Sequence, residues 1–126
     1  MKEQEGKVII KCLPNKCNTL SYKVSVIDSR NKTVFYGCSS KCGITELKVN
    51  AYDKYEVRVE SPECISPKAA SRWVRLNPHE TYGLYFIFNR DLFAPDYNNA
   101  TFHLTDQKYM GLPILKGDLF LCQSHM

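Results

Sequence analysis

The feature that most restricts what this chain can fold into is the two-residue period of its apolar positions. In "YEVRVE", Tyr55, Val57 and Val59 alternate with Glu56, Arg58 and Glu60. Successive side chains of an extended strand point to opposite faces, so this segment has one dry face and one wet one. "SYKVSVID" places Tyr22, Val24 and Val26 on one side, and the Asp, Ser and Asn of "DSRNK" then predict a turn into "TVFYG". Tyr22 to Gly37 is thus an expected hairpin. "KVIIK", "ITELKV" and "RWVRL" supply further strands. No stretch keeps a helical period for longer than a turn.

"TYGLYFIFN" breaks the alternation. Leu84, Phe86 and Phe88 share one face, but Tyr85 and Ile87 make the other face apolar too. A strand of this kind must be covered on both sides. The chain continues past it through "NRDLFAPDYNNA" into two short apolar runs, "TFHLT" and "DLFLC", joined by "DQKYMGLPILKG". They read as a hairpin with a wide loop, whose strands complete the fold. The loop residues Tyr109, Met110, Leu112 and Ile114 are the expected contact with another protein or a second copy, because exposed apolar patches mark interaction sites. Seven short strands with regular turns indicate an all-β sandwich over residues 1–90. Residues 91–126 then form a C-terminal loop and hairpin appended to the same domain.

A chain of 126 residues is long enough for one self-sufficient core. Its formal charge of +4 is uneven, with nine Lys/Arg against four acidic residues in 1–49 and eight against nine afterwards. The lysines are dispersed over several strands and loops, and no basic run or groove-reading helix occurs. Nucleic acid is therefore not an expected partner. The apolar core of the first dozen residues is too short for a signal peptide. No apolar run reaches the length of about 18 residues that marks a membrane span. These features lead to the expectation of a cytoplasmic chain, with a surface or phage particle as the other setting.

Six cysteines are many for such a chain. "CLPNKC" and "CSSKC" place Cys12, Cys17, Cys38 and Cys42 at spacings that suit a tetrahedral zinc site, beside lysines that favour thiolates. Disulfides are a second reading, and reduced thiols buried as small apolar groups a third. Nucleophilic catalysis needs a Ser or Cys beside a His with an orienting carboxylate. Yet His79 sits in a Pro-containing turn, His103 on a strand and His125 at the end, and all three read as solvent-facing. No phosphate-binding glycine loop occurs. The acceptor patterns at Asn31 and Asn99, and "KGD" at Lys116, read as chance. The residues point to a non-catalytic protein, with no catalytic residues and no resident cofactor unless zinc occupies the cysteine set.

The order "KVIIK … SYKVSVID … TVFYG … ITELKVNAYDKYEVRVESPE … RWVRLNPHETYGLYFIFN" resembles the prealbumin-like, or transthyretin-like, sandwich of collagen-adhesin B-type domains in Gram-positive surface proteins. The resemblance covers roughly Lys7 to Asn89. It implies a seven-strand Greek-key sandwich, here with an added C-terminal β-hairpin, in a surface or phage-related component. "ITELKVNAYDKYEVRVESPE" is similar to the family's edge-to-core hairpin. The family's isopeptide bond would join Lys11 to Asn89, assisted by an inward Glu at the position of Val59. Glu60 lies one residue on, facing the other way, so the bond is not expected. The hydrolase members end in Tyr-Arg-Gly-Ser, whereas this chain ends "LCQSHM". A transthyretin-like small-ligand carrier remains an alternative, as does a zinc- or thiol-based binding module.

Overall fold

The computed structural model describes residues 4–13, 21–40, 43–61, 69–88, 101–104 and 116–122, with only the backbone course given for 101–104. Among them are nine strands: β1 (Glu5–Leu13), β2 (Lys23–Asp28), β3 (Thr33–Cys38), β4 (Ile44–Asn50), β5 (Lys54–Glu60), β6 (Ala69–Arg75), β7 (Thr81–Ile87), β8 (Thr101–Leu104) and β9 (Gly117–Leu121). They form two sheets, ordered β4-β1-β7-β9-β8 and β3-β2-β5-β6, and the described residues contain no helix.

Alternation is the reason the two sheets stack. Val8, Ile10 and Cys12 from β1 and Leu84, Phe86 and Phe88 from β7 and its end face Val24 and Val26 of β2 and Tyr55, Val57 and Val59 of β5 in one core. Tyr22 closes it, stacked on Phe88 at a centroid distance of 5.4 Å. Offset stacking of this kind adds to the area that the rings remove from water. The β2–β3 hairpin turns where expected. Asp28 Oδ1 accepts from the N–H groups of Arg30 and Lys32, both at 2.9 Å, while Asn31 takes the left-handed conformation that Asn tolerates.

Two expectations are corrected. The β4–β5 unit is not a hairpin, because β4 is an edge strand paired with β1 while β5 lies inside the other sheet between β2 and β6. The intervening turn carries the chain from sheet to sheet. It is fixed by Ala51 N–H to Gln4 O and Tyr52 N–H to Leu76 O, each 2.8 Å, with Tyr52 at φ 69°.

The strands of the C-terminal hairpin, in turn, do not lie over the face of β7. β9 pairs edge-on and parallel with β7, and β8 pairs antiparallel with β9 at the rim of the sheet. β7 is therefore flanked by parallel strands on both sides, β1 and β9. Central parallel strands are usually covered on both faces, and this one follows the rule. Tyr85 and Ile87 are buried on the face turned away from the core, together with Leu119 and Leu121 of β9. The loop that joins the hairpin strands, expected as a partner contact, lies outside the described residues.

Candidate interaction surface

Among the described residues, the outer face of the four-stranded sheet carries most of the large apolar side chains left in water. Trp73 of β6 is 51% exposed and Tyr36 of β3 is 70% exposed, with Val34 beside it at 45%. Sequence and pleat together dictate this. Val74 and Phe35 turn to the core, so their neighbours Trp73, Val34 and Tyr36 turn out. Tyr36 and Trp73 sit on opposite edge strands, three strand spacings or roughly 14 Å apart across the sheet. Between them Arg58 is held by Glu56, with Nη2 to Oε1 at 2.7 Å and Nε to the same oxygen at 2.9 Å. Glu56 lies opposite Trp73 on the next strand, and Ser25 lies opposite both Tyr36 and Arg58. Lys54 Nζ stands 5.1 Å from the Trp73 ring centroid, within cation–π range. Lys54, Trp73, Val74 and Arg75 line an open cleft of about 290 Å³.

A second shallow cleft, about 250 Å³, lies at the opposite sheet among Glu5, Lys7, Lys48, His79 and Glu80. Its charges are of both signs. Glu80 takes the Asn77 N–H at 2.9 Å and a contact from Lys116 Nζ at 3.2 Å. His79 is exposed in its turn, with φ 62°. Nothing in this cleft sets a nucleophile beside a base.

The three described cysteines divide between core and solvent. Val8, Ile10 and Cys12 share the inward face of β1, so Cys12 lies in a strand at zero exposure rather than in a loop. Burial raises its thiol far above the ordinary range, and Cys122 raises it further. Cys122, just after β9, is also buried. Its thiol is pushed up to about 12, although the Ile87 backbone and Arg72 counter part of that shift. Cys38 ends the edge strand β3 of the other sheet and is exposed. The proposed zinc set therefore combines one thiol locked in the core with another in solvent, while Cys17 and Cys42 lie outside the described residues. Among the described residues no cluster of three His, Cys, Asp or Glu is placed to hold a metal.

The positions implied by the resemblance are also informative. Val59 faces the core at 1% exposure and Glu60 lies on the wet face. Lys11 is half-buried on the outward face of β1, beside the inward Cys12. Asn89 lies outside the described residues, as do the loop contacts Tyr109, Met110, Leu112 and Ile114, along with His125. The sequence reading did not single out Trp73 or Tyr36, although alternation against Val74 and Phe35 already placed both on a wet face.

No protein-family model matches the chain, and no curated protein matches it. A solved structure, the Bacillus anthracis TIE protein, matches in fold with a TM-score of 0.52 and 16% identity over 67% of this chain. The matched region is only 16% of that protein's length. The likeness confirms a β-rich domain of this kind. No helix among the described residues is long and apolar enough to cross a membrane.

Proposed function

We propose that the chain is a non-catalytic interaction module of the prealbumin-like class, a structural part of a bacterial surface or phage assembly. One observation carries this reading. The thiols at its centre, Cys12 and Cys122, are sealed in the core, while Trp73, Tyr36 and Val34 stand in water on a single sheet face. Exposed aromatic side chains beside a fixed ion pair fit protein recognition, because rigid rings bury area at low entropic cost. Strand order supports the class, and likeness in fold to the Bacillus anthracis structure supports a β-rich domain. The hairpin loop with Tyr109, Met110, Leu112 and Ile114 is a second contact in the same proposal, since β9 roots it in the five-stranded sheet.

A photo-reactive amino acid placed at position 73 or 112, followed by crosslinking in the native host, tests this. One defined protein recovered in near-stoichiometric yield from either position, and lost when Trp73 or Leu112 is replaced by Glu, supports the module. Crosslinks that scatter at the level of a control position such as Lys32 remove it.

A further inference from the structure

The three rim strands whose side chains are described differ in how they discourage pairing. β4 carries Glu46 and Lys48, and β6 carries Arg72 and Arg75. β3, "TVFYGC", has six residues without a charge or a proline. Charged side chains on an edge are a usual defence against strand addition, and β3 lacks it. Its only partner among the described strands is β2.

The backbone of β3 shows which groups are on offer. Ser39 N–H donates to Tyr22 O at 2.8 Å, so the peptide groups of Ser39, and by alternation those of Gly37 and Phe35, point at β2. Those of Tyr36 and Cys38 point away from it. Toward the start of the strand the register slips between Val26 and Ile27, where Phe35 and Thr33 are the successive partners and Val34 is the extra residue. The regular edge therefore runs from Phe35 to Cys38, and its outward groups are centred on Gly37.

We propose that a second copy of this chain pairs antiparallel along this edge, about a two-fold axis through Gly37, to join the two four-stranded sheets into one. The edge is its own complement. Tyr36 of each copy meets Cys38 of the other as a hydrogen-bonded pair, so four outward donors and acceptors are satisfied by symmetry. Gly37 faces Gly37 of the second copy in the intervening pair that lacks hydrogen bonds, where the chains approach most closely and the absence of a side chain helps. Tyr36, the most exposed of the large hydrophobic side chains among the described residues, would lie against the small Cys38 of its neighbour. The bulge at Val34 confines pairing to this short register, which makes the dimer reversible.

This inference deepens the interaction reading and rests on it; it shares Tyr36 with the exposed face but uses the backbone edge of β3, and its partner is a second copy of the chain. Light scattering on the full chain under reducing conditions, across a dilution series, is expected to show a monomer–dimer equilibrium. Tyr36→Lys, with unchanged thermal unfolding, is expected to raise the dimer dissociation constant by roughly tenfold or more. The register has its own test. Tyr36→Cys should form an inter-chain bridge with Cys38 on mild oxidation, because hydrogen-bonded pairs set Cα atoms about 5.5 Å apart, inside the disulfide window. That bridge should vanish in Tyr36→Cys with Cys38→Ser. A wild-type chain that stays monomeric throughout, or a dimer unmoved by Tyr36→Lys, overturns the pairing and leaves the crosslinking result at positions 73 and 112 untouched. Failure of those crosslinks with the edge dimer intact would instead remove the partner reading and leave self-association alone.

Discussion

Cys12 and Cys122 show how a residue type that suggests chemistry in a sequence can be used for packing. Both thiols lie on inward faces beside Tyr22, whose hydroxyl is likewise raised by burial and by the two thiols. A thiol held protonated is neither a nucleophile nor a good metal ligand. The same environment makes stability depend on alkaline pH. In the unfolded chain a cysteine ionises near its ordinary value of about 9, whereas Cys122 in the fold holds its proton to about 12 and Cys12 holds it longer. Above pH 9 the unfolded state thus sheds protons that the native state retains, and each such group removes about 1.4 kcal/mol of stability per pH unit. The stabilising effect is fully present below pH 9 and is lost progressively as pH rises through 12. Urea unfolding midpoints should fall steeply over that range, and the fall should be shallower in the Cys12→Ala, Cys122→Ala double variant measured against its own value at pH 8. Equal slopes would show that the two thiols titrate alike in both states.

At the scale of elements, β9 depends on one close approach. Gly117 pairs with Gly83 across the parallel β7–β9 ladder, and Gly83 N–H donates to Lys116 O at 2.8 Å. A methyl group added at Gly117 would collide with the Gly83 carbonyl oxygen, which is backbone and cannot swing aside. Gly117→Ala is therefore expected to destabilise the protein by about 2–4 kcal/mol, in the range of severe steric substitutions. The loss should appear first as faster amide exchange in β9, with β2 and β5 protected as before. Uniform loss of protection across both sheets would sink this account. The in-and-out faces of β2, β5 and β7 were legible in the sequence, because a period of two needs only neighbouring residues. The sheet assignment of β4 and β5 was not. A reversal such as "NAYD" fixes where the chain turns, but the partners of each strand are tens of residues away. The place of β9 between β7 and β8 was hidden for the same reason, since it depends on two glycines meeting across 33 positions of sequence. The exposed aromatics were legible but passed over. "RWVRL" places Trp73 opposite in sense to Val74, and a large ring on the wet face of an edge strand is the signal of an interaction surface.

For the whole molecule, the added hairpin determines whether the sandwich closes. Without β9, the four-stranded sheet would face only β4, β1 and β7. With it, Phe120 reaches the far edge strand, where the Arg72 guanidinium lies 5.0 Å from its ring and Tyr82 donates a hydrogen bond to the inward Asp118. Leu119 and Leu121 bury completely on the other face. Fully burying a side chain of this size contributes about 1.5–3 kcal/mol, so Leu119 and Leu121 together contribute roughly 3–6 kcal/mol, comparable with the low end of the roughly 5–15 kcal/mol that holds an ordinary domain folded. A chain ending at Phe88 should consequently lose cooperative unfolding and dispersed amide resonances, rather than survive as an independent seven-strand unit. Replacing residues 105–115 by a Gly/Ser linker of equal length keeps β8 and β9 and removes Tyr109, Met110, Leu112 and Ile114. That variant should fold with a cooperative transition while losing crosslinks made from the loop. If the shortened chain instead folds with an unchanged melting temperature, β9 is an ornament on a finished sandwich. The tail would then act through its loop alone.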